Sequence, residues 1–209
     1  MPVEFLSDEE AAAYGRYAGV PSQAELARVF FFDDDDRALI ERRRGSHMKL
    51  GFALQVVTVR YVGAFLEDPL DVPGAVLDFV AGQLEIDDPS CVKAYTEREK
   101  TRFDHAWEIQ RVYGLKDFGG AESELRSWVA ARSWTTGDGP KAIFTDAVRW
   151  LRERDVLLPG VSTLARLVAR VRDETTQRLW EALASLLSVV NATCWISCWW
   201  WPRESGSRI

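Results

Sequence analysis

Four aspartates in succession, Asp33–Asp36, are the first residues whose type and crowding could do chemistry. Carboxylates hold divalent cations, but such sites gather ligands that converge from several elements. Four neighbours splay around one helical turn instead. The run opens "DDDDRALIERRRG", residues 33–45. Acids at a helix start and Arg42, Arg43 and Arg44 at its end both suit the helix dipole, and Gly45 suits the position after the last turn. The run is therefore read as a helix start rather than a metal site.

Other reactive side chains are sparse. His47 stands between Arg44 and Lys49, and His105 stands beside Trp107 on a helical stretch. A lone helical histidine is more often a satisfied surface or core residue than a ligand. Cys91 is the single cysteine before the last segment and reads as a small hydrophobe. Cys194 and Cys198 have no second pair to complete a zinc tetrad. "GDG", residues 137–139, lacks the Lys-Ser/Thr of a phosphate loop. No nucleophile elbow or paired-histidine zinc helix occurs. The expectation is a chain with no catalytic residues, no metal and no cofactor.

What remains is binding. The net charge of −6 conceals an uneven distribution. Residues 1–36 hold two Arg against nine acids, net −7; residues 37–60 hold six Arg/Lys against one Glu, net +5; residues 141–178 hold eight against five, net +3. Local basic patches decide where a polyanion docks. The candidate DNA contacts are Arg42, Arg43, Arg44, His47 and Lys49, then Arg98, Lys100 and Arg102, then Arg166 and Arg170.

The elements that must position these residues read as helices. Ser7-x-x-Glu10 and Ser22-x-x-Glu25 are capping boxes. "MKLGFALQVVTVRYVGAF", residues 48–65, is apolar almost all round, with Gly51, Gln55 and Thr58 as one thin polar stripe. Such a helix is buried at the centre of a fold. The β-branched "VVTVRYV" leaves a strand as the alternative reading. "DVPGAVLDFVAGQLEIDDPS" followed by "VKAYTEREKTRFDHAWEIQRVYG", closed by Gly114, gives two helices compatible with a helix-turn-helix. Its mixed charge also fits an ordinary solvated face. Gly-rich ends around residues 118–141 mark a subdomain boundary. "IFTDAVRWLRERDVLLPGVSTLARLVARVRDET" gives a second helix-turn-helix candidate, turned at Pro159-Gly160, with Ser162 as a cap. The expectation is an all-α, multi-helix bundle of the DNA-binding type, with roughly nine helices, two helix-turn-helix-like units and no confident sheet. Residues 1–117 would form an N-terminal helical domain, 118–190 a second and incomplete subdomain, and 191–209 an aberrant tail.

Several of these stretches together resemble the opening region of Tn-three-family transposases. They are "RRRGSHMKLGFALQVVTVRYVGAF", "VPGAVLDFVAGQL", the Tyr95-x-x-Arg98 … Arg102-x-x-His105-x-x-Glu108-Ile109 helix, and "WLRERDVLLPGVSTLARLV". The resemblance implies a role in replicative transposition, with N-terminal helical domains that recognise terminal inverted repeats. It also implies proteins several times longer, whose distant RNase H-like domain holds two Asp and a Glu on Mg²⁺. That domain has no counterpart in this chain, and Asp33–Asp36 do not replace it.

The ending "CWISCWWWPRE", residues 194–204, is then open to the genetic code. The codons for Cys194 to Pro202, read one base out of register, encode Leu-Asp-Gln-Leu-Leu-Val-Val-Ala. Those leucines continue the spacing of Leu183, Leu187 and Val190. A frameshift near Cys194 is the expected origin of the tail. An aromatic nucleic-acid platform and an interfacial membrane anchor are the rivals.

The expected partner is DNA carrying transposon inverted repeats, with self-association inside a transposase dimer as a further possibility. A helical protein-interaction module is the alternative function, and a nuclease built on the aspartate run ranks last. The acidic N-terminus lacks the basic and apolar regions of a signal peptide, and no run of about 18 apolar residues occurs. The expected setting is the bacterial cytoplasm, at the nucleoid when DNA-bound, with no membrane partner.

Overall fold

A computed structural model describes residues 5–198, with side chains to residue 186 apart from that of Glu99. The expectation of an all-α fold is borne out. Nine α-helices follow one another among the described residues: α1 Asp8–Ala13, α2 Gln23–Val29, α3 Asp34–Glu41, α4 Ser46–Val62, α5 Gly74–Gln83, α6 Glu99–Val112, α7 Phe118–Thr135, α8 Pro140–Arg152 and α9 Val161–Cys198. A 3-10 segment, Pro89–Glu97, lies between α5 and α6. The one extended pairing among them is an isolated bridge between Lys116 and Val156.

Local chemistry sets the helix starts. Both capping boxes form: Ser7 accepts from the Glu10 amide and Ser22 from the Glu25 amide, while each glutamate bonds back. Asp33 caps α3 by accepting from the Asp36 amide at 2.8 Å, so the aspartate run does start a helix. Gly45 serves differently from expectation. Helix α3 ends at Glu41, Arg42–Arg44 lie in the connection, and Gly45, at φ 86°, is the residue before α4. Ser162 likewise lies inside α9 rather than capping it.

Helix α4 is the buried axis of the first core, and the strand alternative for "VVTVRYV" is excluded. Leu50, Phe52, Leu54, Val56 and Val57 are buried among Leu26, Phe30, Phe32, Ile40, Val76, Val80 and Ile109. Two groups of its polar stripe bond to other elements, although the buried Gln55 Oε1 has no hydrogen-bond partner among the described residues. Thr58 meets the Tyr17 hydroxyl at 2.9 Å, and Gln55 donates to the Tyr95 hydroxyl at 2.9 Å. Gly51 lies under the Tyr95 ring; a Cβ there would stand 2.2 to 2.5 Å from three ring carbons.

That packing breaks the long helix expected over 92–114. In one α-helix, ten residues of rise would separate Tyr95 from His105 by roughly 15 Å. Instead the chain turns at Arg98 (φ −113°, ψ 100°), and Tyr95 Oη meets His105 Nδ1 at 2.9 Å. Helices α5 and α6 both pack on α4. Residues 84–98 join them, a longer path than the 3–4-residue turn of a helix-turn-helix.

Helices α7, α8 and α9 pack together around a second core of Leu125, Val129, Ile143, Phe144, Leu151, Leu164 and Val168. Residues 153–160 connect α8 to α9. The start of the chain docks on this core: Phe5 and Tyr14 both pack on Phe144, at ring separations of 6.0 and 5.6 Å, and Glu10 pairs with Lys141. The two cores are stitched by backbone bonds from Leu158 N to Gly63 O (2.9 Å) and from Leu157 N to Lys116 O (2.9 Å).

Candidate nucleic-acid interface

Of the aspartates in α3, Asp36 is the one with side-chain partners, while Asp34 and Asp35 are exposed. Asp36 is 3% exposed, and Arg60 Nη2 donates to both its oxygens at 2.9 Å. The Tyr113 hydroxyl donates to the same carboxylate. Burial, and then the carboxylate beside it, push the Tyr113 phenol well above its ordinary pKa. This buried pair ties α3 to α4 and to the end of α6. Among the described residues, no group of three His, Cys, Asp or Glu is arranged to hold a metal ion.

The ten candidate cations divide by what already holds them. Arg43 pairs with Glu108 at 2.6 Å, and its guanidinium lies 4.2 Å from the centre of the Phe52 ring. Lys49 pairs with Glu41. Arg102 donates to the Glu67 carbonyl and stacks 4.8 Å from the Phe103 ring centre. His47 is half-buried, with its ring turned back toward Gly45. By contrast Arg42, Arg44, Arg98, Lys100, Arg166 and Arg170 are exposed and form no ion pair with the described side chains. Arg166 only donates to the Ser162 carbonyl of its own helix, at 2.9 Å.

Arg43 does more than occupy a charge. Its ion pair with Glu108 holds the α3–α4 connection, which also carries the exposed Arg42 and Arg44, against the second half of α6. The buried side of α6 carries the hydrogen-bond relay through Tyr95. Gln55 Nε2 can only donate, so the Tyr95 oxygen accepts from it and its O–H donates to His105 Nδ1. That assigns a neutral His105 with its proton on Nε2. Burial and then the Arg43 charge lower the His105 pKa from 6.5 to about 4, in agreement.

A cleft of about 690 Å³ lies where α4 meets α8 and exposes Arg60, Arg149 and Arg152. Each is engaged, Arg60 by Asp36, Arg149 by Asp146 at 3.2 Å, and Arg152 by the Tyr61 carbonyl. It is not a free cation cluster.

Trp107 and Arg111 lie outside the contacts that charge distribution along the chain singles out. Both are exposed on α6, Trp107 at 76%. The usable signal was there: on the period of α6 they fall opposite Ile109 and His105, which are turned inward.

The described residues form an all-helical fold whose surface carries arginines without ion-pair partners. The chain belongs to the family described as "Domain of unknown function (DUF4158)", whose model matches residues 5–171. It is homologous to Tn3-family transposases. It is 41% identical over 188 residues to the "Transposase for transposon gamma-delta" of Escherichia coli (strain K12), covering 89% of this chain and 19% of that protein. It is 32% identical over 169 residues to the "Transposase for transposon Tn501" of Pseudomonas aeruginosa, covering 80% of this chain and 17% of that protein. With the "Transposase for transposon Tn2501" of Escherichia coli the figures are 27% over 209 residues, 99% and 20%. The chain thus spans about a fifth of the length of these relatives. Among the described residues no helix is long and apolar enough to cross a membrane. The side chains of the tail expected to be frameshifted, residues 191–209, lie outside the described residues.

Proposed function

We propose that this chain is a DNA-recognition piece of a Tn-three-type transposase that binds the transposon's terminal inverted repeats and does not itself cut or join DNA. The observation that carries this is the set of six exposed, unpaired cations, Arg42, Arg44, Arg98, Lys100, Arg166 and Arg170. A cation with no carboxylate partner forfeits no internal bond when it meets a phosphate. The kinship with transposases and these exposed cations support a DNA partner. Two cores divided near residue 117, with residues 5–14 docked across the division, would present these cations from the α3–α4 connection, the start of α6 and α9. The bacterial cytoplasm, at the nucleoid, is the location this reading requires.

The test is selection from a random duplex pool by the chain as it stands, followed by titration of the winning duplex against a shuffled one. Enrichment of a defined sequence resembling a transposon end is the expected result. No enrichment, with equal and feeble binding to both duplexes, would sink specific recognition.

A second reading has its own observation. Leu179, Trp180, Leu183 and Leu186 are exposed on α9 beyond the part that packs on α7 and α8. A face of that kind fits a helical assembly module within a transposase dimer. Light scattering separates the two readings: a concentration-independent monomer that binds DNA supports the first.

A further inference from the structure

The free cations explain affinity for any duplex, because phosphates carry no sequence. Discrimination needs a side chain that reaches base edges. On α6, Lys100, Phe103, Trp107 and Arg111 fall within a stripe roughly 80° wide at 100° per residue. Ile109 and His105 occupy the opposite side, where α6 rests on α4. Phe103 is 51% and Trp107 76% exposed, an expensive placement for two large rings on a helix anchored so firmly beneath. Lys100 and Arg111 are exposed at the stripe's two ends and form no ion pair with the described side chains. One exposed acid, Asp104, lies at its edge, and Glu108 beside it is already neutralised by Arg43. That same ion pair ties the connection carrying the exposed Arg42 and Arg44 to α6 at Glu108, next to the stripe.

We infer that α6 is the helix that enters the major groove, with Trp107 as its apolar base contact and Arg42, Arg44, Lys100 and Arg111 on the bordering phosphates. A major groove about 12 Å wide admits one α-helix, and an apolar side chain there reads the thymine methyl group. The polarity of the stripe suits that arrangement: rings at the centre meet base edges, and cations at the ends meet backbone. The two halves of the discrimination problem are then separate in the structure. Arginines of the α3–α4 corner give affinity that ignores sequence, and Trp107 gives preference. This inference rests on the DNA-recognition reading and adds the residue through which it is specific.

The experiment uses the full chain, the duplex it selects from the random pool, and a shuffled duplex of equal composition. Trp107→Ala is expected to weaken the selected duplex on the order of tenfold, the size of one lost base contact, while leaving the shuffled duplex within about twofold. Trp107→Phe, which keeps an apolar ring, is expected to restore most of the loss. Uracil is then placed for thymine at each position of the selected duplex. At one position the missing methyl should weaken the wild type and leave Trp107→Ala unmoved. A purely structural role for Trp107 would not produce that pattern, and its exposure lets the variants fold. Equal affinities of Trp107→Ala and wild type for the selected duplex would overturn the inference while leaving DNA recognition intact. Equal weakening on both duplexes would overturn it in favour of sequence-blind stacking. A wild type that self-associates, with Trp107→Ala monomeric and unchanged toward DNA, would reassign the stripe to protein contact. Failure of the selection itself would refute the underlying function instead.

Discussion

Replacing Arg42 and Arg44 together with alanine tests whether unpaired cations carry DNA affinity. Each phosphate neutralised on duplex DNA contributes roughly −0.9 to the slope of log K against log salt. Counting only Arg42, Arg44, Arg98, Lys100, Arg166 and Arg170, one phosphate each gives a wild-type slope of about −5, and affinity falls about 10³-fold between 50 and 200 mM salt. The double variant loses two contacts, so its slope flattens to about −3.5 and the same salt step costs about 10²-fold. Lys49→Ala is the internal control. Lys49 is already held by Glu41 and is expected to leave the slope within experimental error of wild type. The assay is fluorescence anisotropy of a labelled duplex across a potassium chloride series. A slope unchanged in the double variant would refute the argument. So would a Lys49→Ala slope as flat as that of the double variant, because paired and unpaired cations would then be equivalent.

Three further outcomes follow from the packing. Gly51→Ala drives a methyl group into the Tyr95 ring and is expected to destabilise the chain by about 2 kcal/mol, after allowing for alanine's better helix propensity, as read from urea unfolding. Asp36→Asn keeps the shape but strips the charge facing Arg60. Arg60 is part-exposed and keeps its bond to the Phe31 carbonyl, so the expected loss is about 2–3 kcal/mol, below the full cost of a broken buried pair. An unchanged urea midpoint would remove the pair from the account of the fold. His105 gives the chain an acid sensitivity. The unfolded chain protonates it as pH falls below 6.5, whereas the folded chain resists until about 4, so its contribution is complete above 6.5 and drains away between those values. The ceiling is roughly 3 kcal/mol. Thermal melts from pH 7 to 4 should show the decline, and His105→Gln should flatten it.

The sequence by itself determined the all-α class and three of the helix starts. Ser7-x-x-Glu10, Ser22-x-x-Glu25 and the start of α3 at Asp33 are interactions within four residues, and local spacing encodes them completely. It also determined that residues 48–65 are central, because an all-round apolar helix has nowhere else to lie. The family was legible for a related reason: extended order of apolar and basic segments survives without any contact map. Tertiary structure alone decided which charges are available. Arg42, Arg43 and Arg44 are indistinguishable as letters. Arg43 is spent on Glu108, a residue far along the chain, while its two neighbours point to water. The break of the 92–114 helix at Arg98 was equally hidden. Its cause is the demand of Tyr95 for Gly51, Gln55 and His105, which sit on two other stretches of chain. A carboxylate like Asp36 belongs to the same category: helix-start chemistry placed it, but its burial against Arg60 and Tyr113 depends on partners that only folding brings within 3 Å.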